Sequence, residues 1–251
     1  MNKSFQGIAL VTGSATGVGR SCALRFAGLG YDVVVTYPKL DETEAQETVR
    51  LIEDKGRRAI LVECDVSQDS QVVELLAKVA LQFGQLDLVV NCAGVTHFVE
   101  PADLDSMSEE KWDEILAVNT KGPFFVIRAA VPLLRKSDHA AVVNVSSVAG
   151  ISGFGSSLAY CASKGALNTM TKSLARALAP EIRVNAVCPG PIDSRWLRQS
   201  LSDEEMEERV ASFPIPRLST PDDITDAIVY LATGNAMVTG QLQIVDGGRT
   251  M

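Results

Sequence analysis

A chain of 251 residues with 46% hydrophobic and 22% charged side chains can bury a large core, and its length suits one α/β domain. Its formal net charge of -8 argues against nucleic acid or an anionic membrane as the main partner. Five cysteines (Cys22, Cys64, Cys92, Cys161, Cys188) form no CxxC pair and have only His97 and His139 beside them, so no metal site is predicted and the thiols read as small buried hydrophobes of a reducing compartment.

In chain order, residues 1–5 carry no apolar signal core, and no run of 18 apolar residues follows, so a cytoplasmic protein without a membrane span is expected. A strand over 8–12 runs into Thr12-Gly13-Ser14-Ala15-Thr16-Gly17-Val18-Gly19 and then a helix over 17–29. A pyrophosphate needs such a turn. Gly13 permits the tight bend, Gly17 lets the backbone approach the phosphates, and Gly19 lets helix and strand pack closely. The helix N-terminus adds free N–H groups and a positive dipole. Glycine clusters also mark plain turns, but the strand before and the helix after favour a nucleotide.

Further strands are predicted over 32–36, 59–64, 86–91, 141–146, 183–188 and 241–245, and helices over 41–55, 67–84, 107–136, 156–180 and 220–233. Most of the strands are apolar on both faces, as parallel strands covered by helices are. The alternation implies an α/β fold: a single-domain, Rossmann-like, doubly wound seven-stranded parallel sheet flanked by helices over residues 1–251. Residues 191–212 interrupt the alternation and read as a substrate lid or, more plainly, a surface excursion.

Tyr160 and Lys164 stand one turn apart on the 156–180 helix. Most bare Tyr-x-x-x-Lys pairs are solvated helix surface, but this one follows a strand and a nucleotide turn. A nearby lysine eases ionisation of a phenol whose free pKa is about 10. Such a tyrosine suits protonation of the alkoxide that hydride transfer to a carbonyl leaves behind. Ser147, just past strand 141–146, is placed to hold the substrate oxygen; adjacent Ser146 competes for that role, and a turn serine is the plainer alternative. Asn119 lies inside the 107–136 helix with Pro123 four residues on. Proline has no N–H, so the Asn119 carbonyl loses its helical donor and must find another, water foremost; a simple kink is the alternative.

These motifs, in this order, resemble the short-chain dehydrogenase/reductase family over essentially the whole chain. They are the Gly-x-x-x-Gly-x-Gly turn, Asp65-Val66, Asn91-Cys92-Ala93-Gly94 with Cys92 for the usual second Asn, Val118-Asn119, Ser147, Tyr160-x-x-x-Lys164, Pro189-Gly190-x-Ile192-x-Ser194 and Val245-Asp246-Gly247-Gly248. The pattern is most similar to 3-oxoacyl-carrier-protein reductase-like members. The resemblance implies an NAD(P)-dependent oxidoreductase interconverting a ketone or other carbonyl and a secondary alcohol, with Asn119, Ser147, Tyr160 and Lys164 as its catalytic residues. It further implies that Lys164 holds the nicotinamide ribose and that the Asn119 carbonyl holds a water linking Lys164 to solvent. Cofactor contacts would come from Gly13, Thr16, Gly17, Val18 and Gly19, from Tyr37 and Lys39 after strand two, and from Asp65, Val66, Asn91, Ala93 and Gly94. Tyr160, Lys164, Pro189, Gly190, Ile192 and Ser194 would serve the nicotinamide end.

An acid after strand two would hold the ribose hydroxyls; Tyr37 stands there instead, and Lys39 can pair with a 2′-phosphate, which favours NADP, with NAD the alternative. Against this, the family's frequent basic residue just before Gly17 is missing, and Lys39 also reads as a solvated loop lysine. A carrier-bound 3-oxoacyl substrate is a narrower alternative, weakened because Lys136-Ser137-Asp138-His139 and Ala179-Pro180-Glu181 stand where such relatives present basic residues. A non-catalytic NAD(P)-binding regulator is disfavoured by the presence of all four catalytic positions, and a sugar-nucleotide epimerase or dehydratase by chain length and glycine spacing. The expected partner is a small-molecule carbonyl or alcohol, with Trp196, Leu197, Phe154 and His97 as pocket candidates by location. Surplus apolar surface on helices 107–136 and 156–180, and the terminal strand, predict a homotetramer.

Overall fold

The structure, a computed structural model, describes residues 7–200 and 202–251; the 1–5 segment, Leu201 of the expected lid and the Trp196 side chain lie outside the described residues. Among the described residues seven strands are present: β1 (Gly7–Val11), β2 (Tyr31–Tyr37), β3 (Ala59–Glu63), β4 (Leu88–Asn91), β5 (Ala141–Val145), β6 (Arg183–Pro189) and β7 (Leu242–Val245). They form one parallel sheet in the order β3-β2-β1-β4-β5-β6-β7. The helices are α1 (Gly17–Leu29), α2 (Glu42–Glu53), α3 (Asp69–Phe83), α4 (Glu109–Leu116), α5 (Gly122–Leu134), α6 (Ala149–Ser152), α7 (Leu158–Leu178), α8 (Arg195–Ser200), α9 (Asp203–Ala211) and α10 (Pro221–Val229).

The double-sided apolarity of the strands sorts with a period of two. Ile8 and Leu10 of β1 join Val34, Val89 and Val142 in one apolar layer with residues of α3 and α5. Ala9 and Val11 join Val35, Val90 and Val143 in the other, against α1 and α10. The sheet is therefore covered on both faces, as its sequence requires. Strand order reverses between β1 and β4, and the crevice beyond their carboxyl ends is where open α/β sheets receive ligands.

Several elements differ from the sequence reading. The single helix expected over 107–136 is α4 and α5 joined by a wide π turn at Ala117–Lys121, in which the Gly122 N–H reaches back to the Ala117 carbonyl. Pro123 accounts for the break, because it can donate to neither the Val118 nor the Asn119 carbonyl. The helix expected over 220–233 likewise ends in a π turn, Tyr230–Gly234. Helix α6 was not anticipated; four residues are too few to show a period. The 191–212 segment contains α8 and α9, the latter opened by a capping box between Ser202 and Glu205.

Candidate active site

The three glycines of the first turn do three different things. Gly13 has φ +63°, and a Cβ there would sit 2.9 Å from the Ala93 Cα; a Cβ on Gly19 would sit 2.2 Å from the Gly13 carbonyl oxygen. Both are packing requirements. Gly17 has φ +56° and nothing within 4 Å of its would-be Cβ, so it borders open space. The first turn of α1 contains no acidic residue, and the Thr16 side chain caps none of its N–H groups. An open, Cβ-less cradle at an uncapped helix N-terminus fits a pyrophosphate in space and in charge.

Side chains that the sequence reading passed over hold this cradle to the sheet. The Ser14 hydroxyl accepts from the Thr36 N–H at 3.0 Å, and the Ser14 N–H donates to the Thr36 carbonyl at 3.0 Å, fixing the turn to the end of β2. The Thr12 hydroxyl accepts from the Cys92 and Ala93 N–H groups at 3.0 and 3.1 Å, so the ends of β1 and β4 are locked together at the switch point. At the end of β2, Tyr37 is buried and Lys39 is exposed in the turn Lys39–Asp41. The Asp65 carboxylate accepts from the Ser67 N–H and hydroxyl at 2.9 and 2.7 Å. Val66 is pressed on α5, where a Cβ on Gly122 would lie 2.8 Å from its Cγ2.

Ser157 starts α7 by accepting from the Tyr160 N–H at 3.3 Å, which sets Tyr160 in the first turn and Lys164 in the second. Lys164 is 5% exposed, and its ammonium donates to the Val145 carbonyl at 2.9 Å and stands 5.6 Å from the centre of the Tyr160 ring. Burial pushes the Lys164 pKa down to about 8. Burial also pushes the Tyr160 phenol up to about 12, against the opposing effect of the nearby Ser147 hydroxyl. Ser146 points elsewhere: it is buried and its hydroxyl donates to the Lys164 carbonyl at 3.2 Å. The Ser147 hydroxyl also accepts from the Ala149 N–H at 3.1 Å, so the turn role and proximity to Tyr160 coexist.

Asn119 is fully buried in the π turn. Its amide oxygen accepts from the Val95 N–H at 2.9 Å, and its amide nitrogen donates to the Val95 carbonyl at 2.9 Å and to the Ser163 hydroxyl at 3.2 Å. Ser163 in turn donates to the Tyr160 carbonyl at 2.8 Å. Pro123 draws attention to the Asn119 carbonyl, but the side chain has a part of its own: it clamps the loop after β4 to α7. A second buried chain joins the same elements: Asn91 donates to Asn144 and Asn144 to Thr171, each at 2.9 Å, while the Asn91 amide oxygen is buried without a partner among the described residues.

The end of β6 closes the site. The Gly190 N–H donates to the Val245 carbonyl at 2.9 Å, and a Cβ on Gly190 would lie 2.9 Å from that of Asp246. Ile192 pairs with Ser219 in an isolated parallel bridge, and the Ser194 carbonyl accepts from the Arg198 N–H at 3.1 Å. From α8, Arg195 reaches Asp41 at 3.3 Å, joining the 191–212 segment to the turn after β2. The predicted residues on β1, β4, β5 and β6 thus converge at one edge of the sheet, with Tyr37, Lys39, Asp65 and Val66 at the ends of β2 and β3.

A family model described as enoyl-(acyl carrier protein) reductase matches residues 13–250. The 3-oxoacyl-acyl-carrier-protein reductase FabG of Staphylococcus aureus is 38% identical over 245 residues, covering 97% of this chain and 98% of that protein. Its namesake from Staphylococcus epidermidis is 36% identical over 253 residues, covering 100% of both. A solved structure described as a short-chain dehydrogenase/reductase from Burkholderia xenovorans aligns with a TM-score of 0.91 at 36% identity, covering 98% of each chain.

Proposed function

The chain belongs to the short-chain dehydrogenase/reductase family, an oxidoreductase of C=O and CH–OH groups, and from that premise we propose that Ser147, Tyr160 and Lys164 interconvert a small ketone and its secondary alcohol with NADP as the cofactor. The observation that carries the reading is the cluster itself: a phenol near the Ser147 hydroxyl, a buried ammonium one helical turn away, and an open glycine cradle after a strand of the same sheet. When bound, the nicotinamide supplies or takes the hydride.

The chain's own residues do the rest. The N–H groups of Gly17, Val18 and Gly19, with Gly13 and Thr16, would hold the pyrophosphate, and Asp65 and Val66 the adenine end. Asn91, Ala93, Gly94, Pro189, Gly190, Ile192 and Ser194 would border the ribose and nicotinamide, with Lys164 on the ribose hydroxyls. Ser147 donates to the substrate oxygen, and Tyr160 gives its proton to that oxygen as the alkoxide forms. Lys164 stabilises the phenolate left behind, and a water on the Asn119 carbonyl returns the proton.

The preference for NADP rests on Lys39, which is exposed beside the buried Tyr37, and on Asp41, whose charge is countered by Arg195 at 3.3 Å and so repels a 2′-phosphate less. Residues 191–212 act as the lid of this one domain, in keeping with the same ion pair. Five free cysteines suit a reducing cytoplasm. Exposed Trp112, Phe124 and Leu158, with Ile244 on the edge strand β7, suit a homotetramer. The test is a panel of ketones offered with NADPH and with NADH. Reduction of at least one ketone, with tighter binding of NADPH, is the expected result. Failure to reduce any ketone with either cofactor sinks the reading, and equal or tighter NADH binding sinks the NADP preference.

A further inference from the structure

Resting on that ketone–alcohol reading, we infer that the substrate is an apolar ketone that bears no negative charge and arrives free in solution, not as an anionic thioester of coenzyme A or of an acidic carrier protein. Two loops meet beside Tyr160. The Val99 N–H donates to the Ser156 carbonyl at 2.9 Å, and the Thr96 and Ser156 hydroxyls share a hydrogen bond, so the loop after β4 lies along the loop before α7. The second loop presses on the tyrosine: a Cβ on Gly155 would come within 3.3 Å of the Tyr160 Cδ1. Both loops leave an aromatic ring in solvent, Phe98 at 49% and Phe154 at 73% exposure, and Ile151 on α6 adds 46%. Large apolar side chains held in water beside a half-buried acid/base regain free energy only when something apolar covers them.

The charge around this mouth excludes the anionic alternatives. Residues 100–114, which continue directly from the first loop, contain seven carboxylates and one lysine. That lysine, Lys111, donates to the Ser106 carbonyl at 2.8 Å, and the single adjacent histidine, His97, pairs with Glu114 at 2.8 Å. At the same edge of the sheet, Arg195 holds Asp41 and Arg198 holds Asp193 at 2.6 and 2.7 Å, while Arg135 and Lys136, past the far end of α5, hold Glu181 at 2.9 Å and the Gly84 carbonyl at 2.7 Å at the opposite edge. A phosphorylated coenzyme or an acidic carrier approaching within a Debye length, about 10 Å at 0.1 M salt, meets like charge.

The experiment gives the full-length protein NADPH and three 3-oxo compounds: ethyl acetoacetate, ethyl benzoylacetate and acetoacetyl-coenzyme A, at roughly 20 and 200 mM salt. The aryl ester should exceed the small ester about tenfold in kcat/KM, and the thioester should fall below the small ester. Thioester turnover should rise with salt, whereas the neutral esters should not respond. Phe154→Ala should cut kcat/KM for the aryl ester about tenfold and the small ester less than about threefold. Calorimetric affinity of the aryl alcohol for the protein with NADP should weaken in parallel. Glu100→Lys with Asp105→Lys should raise thioester turnover several-fold and leave both esters unchanged. Thioester use about tenfold above the small ester, or an unchanged aryl-to-small ratio in Phe154→Ala, overturns the inference. Loss of all ketone reduction in the unsubstituted protein would instead overturn the underlying ketone–alcohol reading.

Discussion

Alanine at Gly17 and at Gly19 should separate a glycine that serves a ligand from one that serves packing. At Gly17 a methyl meets nothing within 4 Å, so the fold bears only the cost of φ +56°. That cost is about 1–2 kcal/mol for an L-residue in the left-handed region. In a chain of this size it corresponds to a fall in Tm of roughly 2–8 °C. The same methyl occupies the open space in front of the first α1 N–H groups, where the pyrophosphate is proposed to sit. Affinity for NADPH and NADH should fall together by more than about tenfold, or about 1.4 kcal/mol, because both carry that group. At Gly19 the methyl stands 2.2 Å from the Gly13 oxygen, 2.8 Å from the Gly13 carbonyl carbon and 2.9 Å from the Ser14 Cα. All three are backbone atoms, with no side chain to swing aside, so Gly19→Ala should lower Tm by more than Gly17→Ala does. Thermal melts and fluorescence titration of the reduced cofactors measure both quantities. A folded Gly17→Ala protein that binds NADPH within about threefold of the parent would refute the placement of the pyrophosphate at this turn.

Three other outcomes follow from the site. Tyr160→Phe removes the transferable proton and should lower kcat by about 10²–10⁴-fold while leaving NADPH affinity nearly intact; survival of activity within a few-fold would reject the mechanism. Because burial holds Lys164 near 8, kcat/KM for ketone reduction should fall as pH rises through about 8, and Lys164→Met should remove that limb with most of the turnover. Linkage gives the same lysine a stability signature. Its folded pKa is below the ordinary 10.5, so between about pH 8 and 10.5 the unfolded chain binds more protons, and the parent should gain stability relative to Lys164→Met as pH rises through that window. Chemical denaturation at several pH values measures both proteins, and a parent whose stability relative to Lys164→Met falls with rising pH would contradict the burial argument. Lys39→Ala should weaken NADPH about tenfold and NADH less than about twofold; equal losses would show that Lys39 does not meet a 2′-phosphate.

What was legible in the sequence depended on how local its cause was. The sheet could be read because each strand carries apolar residues on both faces, a property of five or so consecutive positions. The glycine turn could be read because strand, turn and helix are contiguous. Thr12 could not. Its hydroxyl matters because it accepts from Cys92 and Ala93, some 80 residues away, and only the adjacency of β1 and β4 brings them there. Family spacing favours Ser147 over Ser146 in the sequence, and the fold adds a reason of its own: the Ser146 hydroxyl is turned to the Lys164 carbonyl, whereas that of Ser147 lies near Tyr160. Pro123 announced a break in the long helix but not its form, since a kink, a bulge and a π turn all answer a missing N–H.

Asn119 is where the local and the distant arguments meet. Its amide already makes three hydrogen bonds, to both polar atoms of the Val95 backbone and to Ser163, and the residue is wholly buried. A side chain so engaged has little left to offer a substrate or a cofactor. Any chemical part it takes must then fall to its carbonyl, the group that Pro123 cannot serve. The amide meanwhile fixes where that carbonyl stands, because Ser163 carries the clamp onward to the Tyr160 backbone at 2.8 Å. Asn119→Asp would exchange the amide's donor for a buried carboxylate facing the Val95 carbonyl, a repulsive contact at the same volume. Damage from that change would therefore report on the clamp and not on the carbonyl, which both residues possess. Separating the two roles requires a change at Ser163, which removes the two bonds that carry the clamp to α7 and leaves the π turn and its proline untouched.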